Sequence, residues 1–401
     1  MAARVGRQDR WSGRRRRVAI VTGSRAEFGL LQPVLRAMAG RSGLQPRLIV
    51  TGMHLLPKFG RTIDQIRGAG WRIDATVKMQ SGRDDPAGEA PAVARGIEGM
   101  ARALKRLDAQ IVVVLGDRIE AFAGACAAVL TRRVLAHVHG GDRALGDVDE
   151  ALRNAITRLA HVHFVASSDA AYRLRRMGEP AWRIHRVGAP GLDSIRLLQE
   201  ADRRPPRAAE RRLATLLGPL ADTPYAVIVQ HPRGQPPRAE QAVMNNILGA
   251  IERSGLGGVV IYPNSDPGHQ GIIQAIRSPK AKPAGWRVFR SLPQEDYLRV
   301  ASRSAVLVGN SSSGIIESAS LGVCAVNVGP RQQGRQRCGP GVIDAGENRA
   351  AITRAIRAAL DRPRPRPGRS VYGDGHAAER MATILRGLTM RPALLQKHLS
   401  Y

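Results

Sequence analysis

The sequence predicts an α/β protein of two domains, each built on a parallel sheet and facing the other across a cleft. Three observations carry this expectation. Apolar runs such as 111–115 and 134–138 are too short for helices and fit strands buried on both faces. These runs alternate with helical segments along the whole chain, the pattern of a parallel sheet with crossover helices. A chain of 401 residues also exceeds what one core usually supports.

The first strand is 18–22, followed by Gly23-Ser24-Arg25-Ala26-Glu27-Phe28-Gly29 and a helix with Leu30, Leu31, Val34, Leu35 and Met38 on its apolar face. A glycine between strand and helix lets backbone amides approach a phosphate, and Arg25 sits where it reaches a pyrophosphate, although a solvated arginine is the bland reading. The full G-x-G-x-x-G is absent, so a nicotinamide cofactor is not supported. Strand 46–51 runs into Gly52-Met53-His54, a helix covers about 58–69, and 71–77 reads as a further strand. Residues 80–89 are polar and read as a flexible loop before a helix over about 92–107. Strand 111–115 then stops at Gly116-Asp117-Arg118, and a helix rich in alanine covers 120–130. Strand 134–138 opens into His139-Gly140-Gly141-Asp142-Arg143, and Asp147-Val148-Asp149-Glu150 starts another helix. The carboxyl ends of parallel strands share one edge, so Asp117, Arg118, His139, Asp142 and Asp149 should converge on one crevice. Strand 161–165, helix 170–177 and strand 182–187 complete this half.

Gly188-Ala189-Pro190-Gly191 is the best domain boundary. The expected division is a basic disordered tail over 1–16, a first domain over 17–190, a second over 191–375, and a segment 376–401 whose helix (377–388) crosses back to the first domain. In the second domain a polar helix over about 193–217 precedes strands 225–230, 258–262, 286–289, 305–308 and 324–328. Helices 240–254, 268–276, 294–302 and 313–321 lie between them. Polar residues again follow the strands: His231, then Pro263-Asn264-Ser265-Asp266, Gly309-Asn310-Ser311-Ser312-Ser313-Gly314 and Gly329-Pro330-Arg331.

Charge and composition exclude several classes. Sixty-two Lys and Arg against 33 Asp and Glu leave a formal charge of +29. That balance invites a nucleic-acid reading, yet the arginines are spread along the chain, aromatics are scarce and no nucleic-acid motif appears. Arg4, Arg7, Arg10 and Arg14 to Arg17 form the one dense cluster, and anionic substrates are the better explanation of the remainder. No apolar run is long enough to span a membrane, and the N-terminal arginines lack the apolar stretch of a secretory signal. Three cysteines, Cys126, Cys324 and Cys338, fit neither a disulfide framework nor a zinc site and suit a reducing cytoplasm.

Two constellations carry chemistry. Gly309 to Glu317 offers hydroxyls, free amides and a helix start to an anion and reads as a phosphate cradle, where a plain serine N-cap would explain one serine and not three. Glu317 is placed to accept from a ribose diol, and Arg331 can pair with the same phosphates. Asp117, Asp142 and Asp149 near Arg118 and His139 are what proton abstraction and return need, with an N-cap role for Asp147 or Asp149 as the competing explanation. His137 and His139 share a strand face, as do His161 and His163, but neither pair has third-ligand spacing, and both read as hydrogen-bonded residues at strand ends.

Together, Ser24-Arg25-Ala26-Glu27-Phe28-Gly29, Gly116-Asp117-Arg118, His137-Val138-His139-Gly140-Gly141-Asp142, Asp149-Glu150-Ala151-Leu152-Arg153, Gln230-His231-Pro232, Pro263-Asn264, the Gly309 to Gly314 run and Tyr372-Gly373-Asp374-Gly375 resemble the UDP-N-acetylglucosamine 2-epimerases. The hydrolysing branch, which makes N-acetylmannosamine for sialic-acid-type sugars, is the nearest. The resemblance runs from about Arg17 to Leu388. It implies a GT-B-like pair of Rossmann-like domains with a UDP-sugar in the cleft. The implied reaction removes the C2 proton, expels UDP from C1 to give a 2-acetamidoglucal, and adds water with inverted C2 stereochemistry.

The resemblance makes Asp117, Asp142 and Asp149 the acid and base candidates, with Arg118 and His231 near the leaving pyrophosphate. It makes Arg25, His54, Asn264, Asn310, Ser311, Ser312, Ser313, Gly314, Glu317 and Arg331 the residues that hold the UDP-sugar. It implies no metal and no redox cofactor, since arginines and helix dipoles can meet the leaving charge. A homodimer is common for this architecture. Two positions depart from the pattern: many hydrolysing members carry glutamate where Asp142 stands, and commonly histidine where Asn154 follows Arg153. A shorter acid and a group that cannot titrate near neutrality keep the reaction class and leave the sugar open, with a UDP-2,4-diacetamido-trideoxyhexose beside UDP-N-acetylglucosamine. Competing readings are a non-hydrolysing epimerase, a glycosyltransferase of the same architecture and, in a different class, a basic RNA-binding protein.

Overall fold

The computed structural model describes residues 15–80, 86–145, 148–203, 207–278, 285–366 and 370–398. Residues 1–14 of the expected tail, residues 81–85 of the expected loop, and Asp147 lie outside the described residues. The first sheet has strands β1 (Arg16–Thr22), β2 (Leu44–Thr51), β3 (Ala75–Val77), β4 (Ile111–Leu115), β5 (Val134–Val138), β6 (Val162–Val165) and β7 (Ile184–Arg186). The second has β8 (Tyr225–Val229), β9 (Gly257–Ile261), β10 (Arg287–Phe289), β11 (Val306–Gly309), β12 (Ala325–Val328) and β13 (Val342–Ala345). Their orders are β3-β2-β1-β4-β5-β6-β7 and β10-β9-β8-β11-β12-β13, with every pairing parallel. Each is a doubly wound sheet whose strand order reverses once, at β1/β4 and at β8/β11, and ligands bind outside the carboxyl ends at such a reversal. The loops with the expected chemistry, after Thr22, Leu115, Val229 and Gly309, leave from those four strands.

The helices of the first half are α1 (Arg25–Ala39), α2 (Ile63–Gly68), α3 (Glu89–Arg106), α4 (Ile119–Leu130), α5 (Asp149–Leu159), α6 (Ser168–Arg176) and α7 (Pro190–Asp202). Those that follow are α8 (Arg207–Leu217), α9 (Pro237–Arg253), α10 (His269–Arg277), α11 (Gln294–Arg303), α12 (Ser313–Ile316), α13 (Ser318–Leu321), α14 (Arg349–Leu360), α15 (Ala377–Gly387) and α16 (Pro392–Leu395). Among the described residues no helix is long and apolar enough to cross a membrane.

One face of the first sheet packs on α1, whose Leu31, Val34, Leu35 and Met38 are buried. Ala377, Ala378, Met381, Ala382 and Leu385 of α15 complete the same core, although α15 follows the second sheet in the chain. Burying Met381 and Leu385 contributes roughly 1.5–3 kcal/mol each to holding α15 there. The crossings between the halves touch, since the Ala189 amide donates to the Tyr372 carbonyl at 2.7 Å.

Several elements differ from expectation for local reasons. The strand expected over 71–77 is reduced to Ala75–Val77, because the Asp74 carboxylate takes the Leu48 amide (2.9 Å) and Arg47 (2.9 Å) in place of a regular ladder. The helix expected over 58–69 shrinks to α2, after Gly60 and Arg61 adopt positive φ of 87° and 44°. The helix expected over 193–217 is two helices, α7 and α8, with Pro205-Pro206 in the sequence between them unable to continue a hydrogen-bond ladder. The helix expected over 313–321 breaks at Glu317, whose carboxylate turns back to accept from the Ser313 hydroxyl at 2.5 Å. Strand β13 and helix α14 are unannounced in the sequence reading.

Candidate active site

The nucleotide side is built first by the turn from β1 into α1. The Ser24 hydroxyl accepts the Glu27 amide at 3.4 Å, while the Glu27 carboxylate accepts the amides of Gly23 (2.6 Å) and Ser24 (3.2 Å), a reciprocal capping box. The amides of Gly23, Ser24 and Glu27 are therefore occupied within the turn. Arg25, one residue on, lines a cavity of about 710 Å³ with His231, Tyr297, Ser311, Ser312, Ser313 and Glu317. Its guanidinium donates to the Arg290 carbonyl at 2.9 Å, and burial lowers its pKa to about 10, which leaves it charged.

The opposite wall comes from the loop after β11. Gly309 has φ of +131°, and a Cβ there would lie 2.1 Å from the Val229 carbonyl oxygen, so only glycine lets β11 turn beside β8. Asn310, expected to touch ligand, is fully buried: its Oδ1 accepts the His231 amide (2.7 Å) and its Nδ2 donates to the His231 carbonyl (2.8 Å). It clamps His231 and does not face the cavity. The Ser313 hydroxyl lies between the Tyr297 hydroxyl (2.6 Å) and Glu317, whose pKa burial raises against that bond. Gly314 lies against Ala325 of β12.

His231 is neutral. Burial, then the charges of Arg331, Arg25 and Arg118 around it, push its pKa down to about 3. Its Nδ1 accepts the Asn264 amide at 3.1 Å, which leaves the proton on Nε2 as a donor. The Asn264 side chain is committed to Asp266. His54, also expected to hold the ligand, is fully buried behind the wall, with Thr22 at 3.1 Å and Thr62 at 2.7 Å on its two ring nitrogens. That placement corrects the expectation.

The acid side gathers at the carboxyl ends of β4 and β5 and the start of α5. Asp117, Arg118 and Asp149 line a second cavity of about 400 Å³ with Asp266, Pro232, Val148 and Leu152. Asp117 pairs with Arg153 of α5, which also donates to the Asp142 carbonyl (3.0 Å) and to Glu150 (3.2 Å). Asp149 lies 3.5 Å from Arg331 of the opposite domain. Asp142 is buried beside this cavity and not in its lining, 3.1 Å from His139 and 3.2 Å from Arg335. Burial works to raise its pKa, but His139, Arg335 and Arg173 outweigh it and hold the carboxyl below the usual range. Arg118 spans the cleft, with Glu120 (3.2 Å) on its own side and Asp266 (2.5 Å) and Ser265 (3.3 Å) on the other.

The histidine pairs are satisfied in place. His137 bonds the Gly116 carbonyl through Nε2 (2.7 Å) and Thr157 through Nδ1 (3.2 Å), which fixes the turn that presents Asp117. His161 accepts the Leu135 amide at 2.9 Å, and His163 meets Glu179 at 3.0 Å. Sequence reasoning quoted Arg153 within a motif without giving it a role, and missed Arg335, Tyr297 and the site role of Asp266. Arg153 was findable, since it lies one helical turn beyond Asp149 on the same face. Arg335 was not, being one arginine among many in a loop without periodicity.

Two doubly wound sheets with their polar carboxyl edges facing define a two-domain protein of the GT-B-like class. Solved structures share the fold. The UDP-GlcNAc 2-epimerase of Methanocaldococcus jannaschii, in complex with UDP-GlcNAc and UDP, superposes with a TM-score of 0.76 over 92% of this chain and 99% of that one, at 18% identity. The Neisseria meningitidis UDP-GlcNAc 2-epimerase bound to UDP-GlcNAc gives 0.75 over 92% and 99%, at 16% identity. The profile of the UDP-N-acetylglucosamine 2-epimerase family matches residues 36–386, and the chain belongs to that family. Its relatives include the UDP-N,N'-diacetylbacillosamine 2-epimerase (hydrolyzing) of Legionella pneumophila, 32% identical over 96% of this chain and 100% of the relative. A UDP-N-acetylglucosamine 2-epimerase of Neisseria meningitidis is 31% identical over 80% of this chain and 81% of the relative.

Proposed function

We propose that this protein is a hydrolysing 2-epimerase of a UDP-linked 2-acetamido sugar, converting UDP-N-acetylglucosamine and water to N-acetylmannosamine and UDP. The carrying observation is the pairing of Asp117, Asp142 and Asp149 with Arg153, Arg335 and Arg331 at the edge facing the cavity of Arg25, His231 and the serines. An ionised carboxylate takes the C2 proton as the C1–O bond breaks, and that electron pair leaves on UDP. Arg25 and Arg331 offset the charge that develops there, and His231 contributes an Nε2–H donor. Water adds its oxygen to C1 while a proton returns to C2 from the opposite face. Asp117 and Asp149, which line the acid-side cavity, and the buried Asp142 beside it are the acid and base candidates for these two transfers.

A second reading has the same reaction on a UDP-2,4-diacetamido-2,4,6-trideoxyhexose. The full-length Legionella pneumophila relative favours it, as do Ile119, Val148 and Leu152 in the acid-side cavity, which suit a methyl group where glucose carries a hydroxymethyl. The test is proton NMR of the protein with UDP-N-acetylglucosamine in D2O. Free UDP with N-acetylmannosamine deuterated at C2 is the expected result, and Asp117→Asn should lower turnover by about a thousandfold or more. UDP-N-acetylmannosamine without free UDP would overturn hydrolysis. No turnover with UDP bound moves the assay to the diacetamido donor, and silence on both donors overturns the reaction.

A further inference from the structure

Asp142 stands apart from the other two acids. It is 5% exposed and held by groups of its own domain, with His139 at 3.1 Å on its Oδ2 and Arg153 donating to its carbonyl at 3.0 Å. Arg173 of α6 donates to the neighbouring Gly141 carbonyl at 2.6 Å, His137 and Arg143 lie nearby, and Tyr372 approaches from the second domain. The remaining partner crosses the cleft. Arg335 places Nη1 3.2 Å from Asp142 Oδ2 and donates through Nε to the Arg143 carbonyl at 3.0 Å. Its side chain is only 7% exposed. The loop that carries it is held on both flanks: Gly334, at φ +77°, lies against the Arg143 side chain, and the Tyr372 hydroxyl donates to the Gln336 carbonyl at 2.6 Å.

We propose that Arg335 is a positioning residue for the reaction, reaching from the second domain to orient the Asp142 carboxylate, so that this acid of the first domain is completed only by the opposite domain. The proposal rests on the reaction assigned above. A buried carboxylate without its cation takes up a proton, because burial penalises the charged form. Arg335, His139 and Arg173 oppose that tendency, and of these Arg335 alone comes from the other domain. Loss of the guanidinium leaves His139 and Arg173 to hold the charge, and the carboxyl titrates at higher pH. Lysine restores a cation but as a single point charge, without the planar fork that spaces the carboxylate and carbonyl bonds on separate nitrogens.

The experiment uses the full chain and its Arg335→Met, Arg335→Lys, Asp142→Asn and doubly substituted forms, with whichever UDP-sugar the wild type turns over. Arg335→Met should lower kcat by about tenfold or more with KM changed less than about threefold, and should move the acid limb of kcat upward in pH. Arg335→Lys should recover part of kcat, and Arg335→Met should cost nothing further in the Asp142→Asn background. A raised KM with unchanged kcat, or full additivity in the double form, overturns the proposal. Thermal unfolding gives a readout free of turnover. The fall in Tm caused by Arg335→Met should be at least halved in the Asp142→Asn background, and equal falls in both overturn the pairing. A wild type that turns over no UDP-sugar overturns the reaction instead, and the thermal cycle then decides the pairing by itself.

Discussion

Glu27 illustrates how a single side chain can serve the fold at an electrostatic cost. Its carboxylate caps α1 from a fully enclosed position, and burial, followed by the nearby Glu120, raises its pKa to about 8 against the Gly23 and Ser24 amides and Arg118. The folded state thus binds a proton that the unfolded chain has released above the ordinary value of 4.5. Stability contributed by this group is full below that value and is lost as pH rises from 4.5 to about 8. Glu27→Gln keeps an acceptor for the two amides and removes the titration, so its unfolding midpoint in urea should fall less than the wild type's between pH 5 and pH 8. A parallel pH dependence in both would count against the assignment. The same residue shows what a sequence hides. The positions of Asp117 and Asp149 were legible because a strand end and a helix start are local patterns. His54 was misread because the two threonines that satisfy its nitrogens, Thr22 from the preceding strand and Thr62 across an irregular turn, are brought to it by tertiary structure and by no repeating pattern.

Elements were legible where periodicity alone decided them. The buried strands announced themselves as apolar runs, since no other short structure wants four or five consecutive large apolar side chains. The helix break at Glu317 was not legible, because no proline or glycine stands at that position to announce it. The end of the chain shows a tertiary bond set overriding local preference. Arg183, 2% exposed, donates to the carbonyls of His161 (2.9 Å), Leu394 (2.9 Å) and Gln396 (2.7 Å), and so straps α16 to the edge of the first sheet. Lys397 adds a bond to Glu179 at 2.8 Å. Arg183→Met keeps most of the apolar stem and strands these carbonyls, and should destabilise the protein by about 2–4 kcal/mol. Hydrogen exchange should rise first in residues 390–398; protection unchanged there would mean that the strap carries no stability.

At the scale of the whole molecule the excess of 29 positive charges acts at long range. A cation-rich surface raises the local concentration of a UDP-sugar and steers its approach, and salt screens this beyond about 8 Å at 0.15 M. The value of kcat/KM should therefore fall with ionic strength, chiefly through KM. Removal of residues 1–16 should abolish retention on RNA and leave nucleotide binding intact; RNA retention that survives the truncation would revive the nucleic-acid reading. The path of the backbone has a consequence in time as well as in space. Helix α15 supplies Ala377, Met381 and Leu385, and α16 supplies Leu394, to a core whose other walls are made from the first two hundred residues. During synthesis the earlier domain waits, with the part of one apolar face that α15 covers left open, until the later one has emerged from the ribosome. The second domain is in effect a long insertion within the first, and the half made first is the half finished last.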